Sequence, residues 1–133
     1  MRYFDLHCDT MTNCALKDIP LRDNGCHVNL ETVKGWDHYV QCYAVWLPDD
    51  LRGGAAWQRF LQVAQRFSRE VEENKDCLEQ LCAPGDLGRM ESTGRHGAIL
   101  TMESGAALGG KLEHIQDFRR LGVRMCTLTW NGA

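Results

Sequence analysis

The stretch Asp5-Leu6-His7-Cys8-Asp9-Thr10, DLHCDT, closes a short run that begins at Arg2 and carries two metal-competent side chains separated by one residue. A strand turns successive side chains to opposite faces, so His7 and Asp9 are expected on one side and Cys8 on the other. At the end of a strand, an imidazole nitrogen and a carboxylate oxygen can then reach the same divalent cation. In parallel βα architectures the functional groups gather at the C-terminal ends of the strands. The rest of the chain decides whether this is such an architecture.

Working outward, Arg2 to Leu6 reads as a first strand and Thr10 to Leu16 as a short helical turn. KDIPLRDNGC, punctuated by Pro20 and Asn24-Gly25, reads as loop, and a short helix follows around Leu30 to Lys34. YVQCYAVWLP is rich in β-branched and aromatic residues and stops at Pro48, as a buried strand does. Trp57, Phe60, Leu61, Ala64, Phe67 and Val71 recur at intervals of three and four, which predicts a helix over 55–74 with one apolar stripe. That stripe reads as core packing against a sheet.

Past the polar EENKDCLEQ, Pro84-Gly85 breaks the chain and Asp86 is expected to cap a helix running to Glu91. GAILTMES is a third strand, and Leu112, Ile115, Phe118 and Leu121 mark a helix stopped by Gly122. VRMCTLTW is a fourth strand. Strands alternating with helices imply βα units around a parallel sheet, with no repeat or linker to divide residues 1–133 into domains.

The composition limits the partners. With 133 residues, 44% hydrophobic and 25% charged, the chain is of globular type and about one domain long. A net charge of −3 with interspersed signs offers no basic stripe for nucleic acid and no polybasic segment for a membrane surface. No signal-peptide pattern or membrane-spanning run is present, so a cytoplasmic location is expected. The seven cysteines form no CxxC pair, so they read as small buried hydrophobes rather than as a zinc ribbon.

Glu103 joins the candidate site because it closes an apolar strand, where an unpaired carboxylate is costly and calls for a cationic partner. His7, Asp9 and Glu103 are therefore the candidate metal ligands. A simple contact between a histidine and an acid at a strand end is the alternative on spacing alone. His38 and His96 stand at strand starts, His27 in a loop and His114 in a helix, positions that suit surface or structural roles.

DLHCDT, GCHVNLETVKGWDHYVQCYAVWLP, AILTMESGAAL and LGVRMCTLTWN occur in the order and approximate spacing of the membrane (renal) dipeptidase family, the M19 metallopeptidases, which the chain resembles over essentially its full length. The resemblance implies a (β/α)8 TIM barrel of the amidohydrolase superfamily, with two zinc ions and dipeptide substrates, including those with a D-residue at the C-terminal position. It implies further that His7 and Asp9 hold zinc, that Glu103 bridges two ions, and that Trp130 contacts the substrate. Trp130 stands where some members carry a histidine that polarises the scissile carbonyl, and Ser104 where glycine commonly follows the bridging glutamate.

A complete barrel needs eight strands and about 250 residues, against four strands read here. The chain is thus expected to be the N-terminal half of the barrel. The family's two further histidine ligands and its catalytic aspartate then fall on later strands, and no catalytic residue falls within 1–133. Two rival readings remain: another amidohydrolase acting on cyclic amides, and a non-catalytic half barrel that assembles as a homo-oligomer through its open edge.

Overall fold

The computed structural model describes residues 2–130. In chain order these form β1 (Arg2–Cys8), α1 (Thr10–Lys17), α2 (Leu30–Val33), β2 (His38–Trp46), α3 (Gly53–Glu73), β3 (Leu78–Gln80), α4 (Pro84–Thr93), β4 (His96–Glu103), a 3-10 turn (Gly105–Leu108), α5 (His114–Arg120) and β5 (Val123–Thr127). Every strand pairing is parallel.

Strand β4 organises the sheet. Its Gly97–Glu103 segment pairs with Val40–Trp46 of β2, while Leu78–Gln80 of β3 pairs with its start and Val123–Thr127 of β5 with its end. A strand has only two edges, so β3 and β5 occupy the second edge of β4 one after the other. The lateral order β1, β2, β4, β5 supplies the four strands of the sequence reading, and β3 is an addition to them.

β3 closes the polar stretch EENKDCLEQ with a strand that the sequence pattern does not signal. Only Leu78 of its three residues is apolar, and the strand is held by tertiary partners: Leu78 is buried in the core, and Glu79 is buried against Arg95 and, at 3.4 Å, Arg89. Context of this kind outweighs strand propensity. Boundaries also move: β1 continues two residues past Leu6, and the last strand ends at Thr127, short of Trp130.

The main core lies between the sheet and the helices, where Tyr43, Val45, Ala98, Leu100 and Met102 meet the α3 stripe. Phe60, Ala64 and Phe67 of that stripe are fully buried, and Phe60 meets Phe118 of α5 edge to face at 4.5 Å. Each phenylalanine contributes about 1.5–3 kcal/mol of burial. On the opposite, inner face Val40, Leu81, Met90 and Ile99 form a smaller cluster. Gly97 makes room for it, since a Cβ there would stand 2.5 Å from Leu81 Cδ1 and 2.8 Å from Met90 Sδ.

The loop from Asp18 to Asn29 is anchored to α3 by buried polar groups. Glu70 accepts the Leu21 N–H at 3.0 Å and the Arg66 Nε–H at 2.8 Å, while Arg66 also donates to Ile19 O at 2.7 Å and to Asp18 at 2.5 Å. Asp86 sits inside the first turn of α4 and accepts from the N–H groups of Cys82 and Ala83, reaching back from the third helical position rather than capping from outside.

Candidate metal centre

The β1 strand does not run straight into its helix. Its pairing with β2 steps from Asp5↔Gln41 to Cys8↔Tyr43, three residues against two, which is a β-bulge. The Asp5 carboxylate accepts the His7 N–H at 3.1 Å and so supports the turn within the bulge. Simple alternation from Tyr3 and Asp5 would send His7 toward the helices; the extra residue reverses it. Cys8 instead enters the helix-side core beside Tyr43, and His7 faces inward.

Asp9 lies outside the strand, at the N-cap position of α1, yet its side chain makes no capping hydrogen bond. It turns to His7 instead, with Oδ1 3.4 Å from Nε2. Glu103 ends β4 on the inner face, and its Oε2 lies 3.3 Å from the same His7 nitrogen. One donor atom from each of His7, Asp9 and Glu103 lies within 4.8 Å of the others. The three candidates thus converge at the C-terminal rim of the sheet, although they come from a bulge, a helix cap and a strand end.

The three side chains differ in exposure. The Glu103 side chain is only 15% exposed, whereas those of His7 and Asp9 are about half exposed at 47% and 55%. Burial raises the Glu103 carboxyl above its ordinary value; His7 opposes that shift and the nearby Asp9 carboxylate adds to it. An imidazole and two carboxylates at this spacing suit a divalent ion of the zinc class. Burial pushes the Cys8 thiol up to about 12, so it offers no thiolate beside them.

The other histidines divide as follows. His38 and His96 open β2 and β4 at the far end of the sheet, and His96 is buried edge-on to Tyr39. His114 stacks on Trp57 at 3.8 Å with Nδ1 2.7 Å from Leu108 O, a packing role. His27 lies in the loop that approaches the site, where it lines a cleft of about 520 Å³ together with His7, Asp9, Asn13 and Lys17. No spacing in the sequence signals that approach, because the α3 anchors of the loop produce it.

Trp130 lies beyond β5 and is 44% exposed. It meets Trp46 edge to face at 5.6 Å, and Trp46 is the direct cross-strand partner of Glu103. Trp46 was not singled out in the sequence, although its place at a strand end just before Pro48 is the signal that locates it.

A parallel βα sheet with polar groups gathered at its C-terminal rim has the pattern of the TIM-barrel class. Within that class the chain belongs to the membrane dipeptidase family, peptidase family M19, whose model matches residues 1–133. Among solved structures it is similar to a metallopeptidase from Rhodobacter sphaeroides liganded with a phosphinate mimic of the dipeptide L-Ala-D-Ala, with 18% identity over 100% of this chain and 46% of that one, TM-score 0.86. It is also similar to dipeptidase AC, an M19 metallopeptidase, with 20% identity over 99% and 44% of the two chains, TM-score 0.84. A third, the probable dipeptidase PvdM from Pseudomonas aeruginosa, gives 15% identity over 95% and 39%, TM-score 0.68. The chain spans less than half the length of these structures and matches the N-terminal part of the M19 barrel. No curated protein sequence matches it.

Proposed function

We propose that the chain forms the N-terminal half of a zinc-dependent dipeptidase barrel and contributes one side of its two-zinc centre. In it His7 and Asp9 would hold one ion, and Glu103 would serve as a carboxylate ligand shared with the second. The observation that carries this reading is the convergence of the three donors within 4.8 Å at the C-terminal rim. Bound zinc supplies Lewis acidity and lowers the pKa of water toward neutrality.

The chain's own residues have definite tasks in that scheme. His7 must present a neutral Nε2, and Glu103 must give up its proton despite its buried setting. Trp130, braced by Trp46, forms an apolar wall beside Glu103 against which a dipeptide side chain packs. The ligand of the Rhodobacter sphaeroides structure, a mimic of L-Ala-D-Ala, supports a small L,D-dipeptide as the substrate.

Three donors fall short of the usual complement of a zinc site, and no general base is assigned among the described residues. Residues 1–133 alone therefore bind zinc weakly or substoichiometrically and do not hydrolyse L-Ala-D-Ala. Isothermal titration with zinc tests the ligand assignment: His7→Ala, Asp9→Asn and Glu103→Gln each weaken binding, and unchanged binding in all three overturns it. Zinc-dependent hydrolysis by the isolated chain, abolished by Glu103→Gln, overturns the predicted inactivity.

The exposed apolar residues of the outer strands favour a second property of the isolated chain. Tyr3, Phe4 and Leu6 of β1 and Met125 of β5 are exposed on strands that each have one edge unpaired among the described residues. Such edges template association. Light scattering on the eluting protein is expected to show concentration-dependent homo-oligomers, and a monomer at all concentrations counts against this.

A further inference from the structure

Strand β1 ends its pairing at Cys8↔Tyr43, but β2 continues to Trp46. Past Tyr43, the N–H and C=O groups on the β1 side of β2 have lost their strand partner, in a part of the fold where Ala44 and Val45 are fully buried. Unpaired backbone groups in such a place are costly. One side chain takes over from the missing strand. Thr12, in the first turn of α1 and 4% exposed, donates its hydroxyl to Ala44 O at 3.0 Å and accepts the Trp46 N–H at 3.1 Å. The hydroxyl uses its donor and an acceptor lone pair on two backbone groups of β2.

This link spans the two halves of the candidate centre. Asp9 is the N-cap residue of the same helix, and with no capping bond of its own its position follows the first helical turn. Trp46 is in register with Glu103. Thr12 supplies two hydrogen bonds from α1 to β2; Thr10 ties to Val28 O in the loop at 3.1 Å and lies in hydrogen-bond contact with the Cys8 thiol at the end of β1, and Met11 packs in the apolar core.

We infer that Thr12 is a positioning residue for the metal centre: its hydroxyl fixes the distance from Asp9 on the α1 cap to Glu103 at the end of β4. The inference rests on the proposed metal site and deepens it. Thr12→Val keeps shape and volume and removes both hydrogen bonds, whereas Thr12→Ser keeps the hydroxyl. Outer residues that orient ligands are worth about ten- to a hundredfold in metal affinity.

The experiment is NMR on the 133-residue chain with labelled His, Asp and Glu side chains, titrated with zinc alone. Wild type and Thr12→Ser are expected to shift at His7, Asp9 and Glu103 with one shared Kd, and folded Thr12→Val to bind about tenfold or more weakly. Equal Kd values for Thr12→Val and wild type, or a serine variant as weak as the valine one, overturn the inference. Through-space contacts from the His7 ring to Asp9 and to Glu103 give a readout independent of zinc. The Asp9 contact is expected in wild type and Thr12→Ser and lost in Thr12→Val; its retention in Thr12→Val overturns the inference. A wild-type chain that keeps these contacts but shows no zinc-dependent shift sinks the metal reading and leaves the positioning role to be decided by the contacts. Thr12→Ala, which imposes no methyl in place of the hydroxyl, serves if the valine variant does not fold.

Discussion

The His7 imidazole and the Glu103 carboxylate stand 3.3 Å apart although β2 lies between their strands. Two strand spacings separate the backbones by about 9–10 Å, so both side chains must lean inward over the end of β2 to meet. The bulge in β1 turns His7 that way, and the inner-face parity of β4 does so for Glu103. The meeting places the Glu103 carboxylate where water is scarce.

Glu103 is held above its ordinary carboxyl value of 4.5, chiefly by burial. Its protonated form therefore favours the fold: the stabilisation is full below the unfolded value and is lost as pH rises through the folded one. Metal-free Glu103→Gln is expected to be more stable than wild type at pH 7 by about 0.5–2 kcal/mol, with little difference near pH 4. Urea denaturation at both pH values checks it, and equal or lower stability of the variant at pH 7 contradicts it.

His96 has the opposite dependence. Burial lowers its pKa below 6.5, and Nδ1 has no hydrogen-bond partner. The unfolded chain takes up this proton first, so the stabilisation is complete above about pH 6.5 and is lost as pH falls toward the folded value. Thermal melts between pH 7.5 and 5.0 are expected to fall more steeply for wild type than for His96→Phe, which keeps an aromatic ring against Tyr39. Parallel curves would exclude this assignment.

The Arg66–Glu70 pair is the second buried charge system, with side chains 9% and 1% exposed. Glu70→Leu takes the acceptor from the Arg66 Nε–H and the Leu21 N–H, while Arg66 keeps Asp18 and Ile19 O, at a cost of about 1–3 kcal/mol. Adding Arg66→Met to Glu70→Leu recovers part of that loss, because the buried Nε–H left without its acceptor is then removed. Denaturant midpoints of the single and double variants test the coupling, and additive losses refute it.

Ser104 follows Glu103 with φ 99°, ψ 120°, backbone that favours glycine, and its hydroxyl accepts the Ala106 N–H at 3.2 Å. Ser104→Gly relieves the strain and loses that bond, so stability is expected to stay within about 1 kcal/mol of wild type. Ser104→Val loses the bond and keeps the strain with a β-branched side chain, a loss of about 1–3 kcal/mol. A valine variant as stable as wild type would show that the turn is not strained.

The sequence by itself determined the parallel βα class, the α3 stripe and the three candidate donors, because these depend on local periodicity and on residue types at strand ends. The matching motifs extended this to the family. The tertiary structure alone decided what depends on contacts distant in the chain. A three-residue strand with a single apolar residue exists because β4 offers an edge and Arg89 and Arg95 hold Glu79. His27 lines the cleft because Arg66 and Glu70 tether its loop, and Trp46 flanks Glu103 because the parallel register aligns them. His7 itself is the sharpest case. Alternation correctly separated it from Cys8, but the inward direction comes from one extra residue in β1, and a bulge shows only once the partner strand fixes which residues oppose each other.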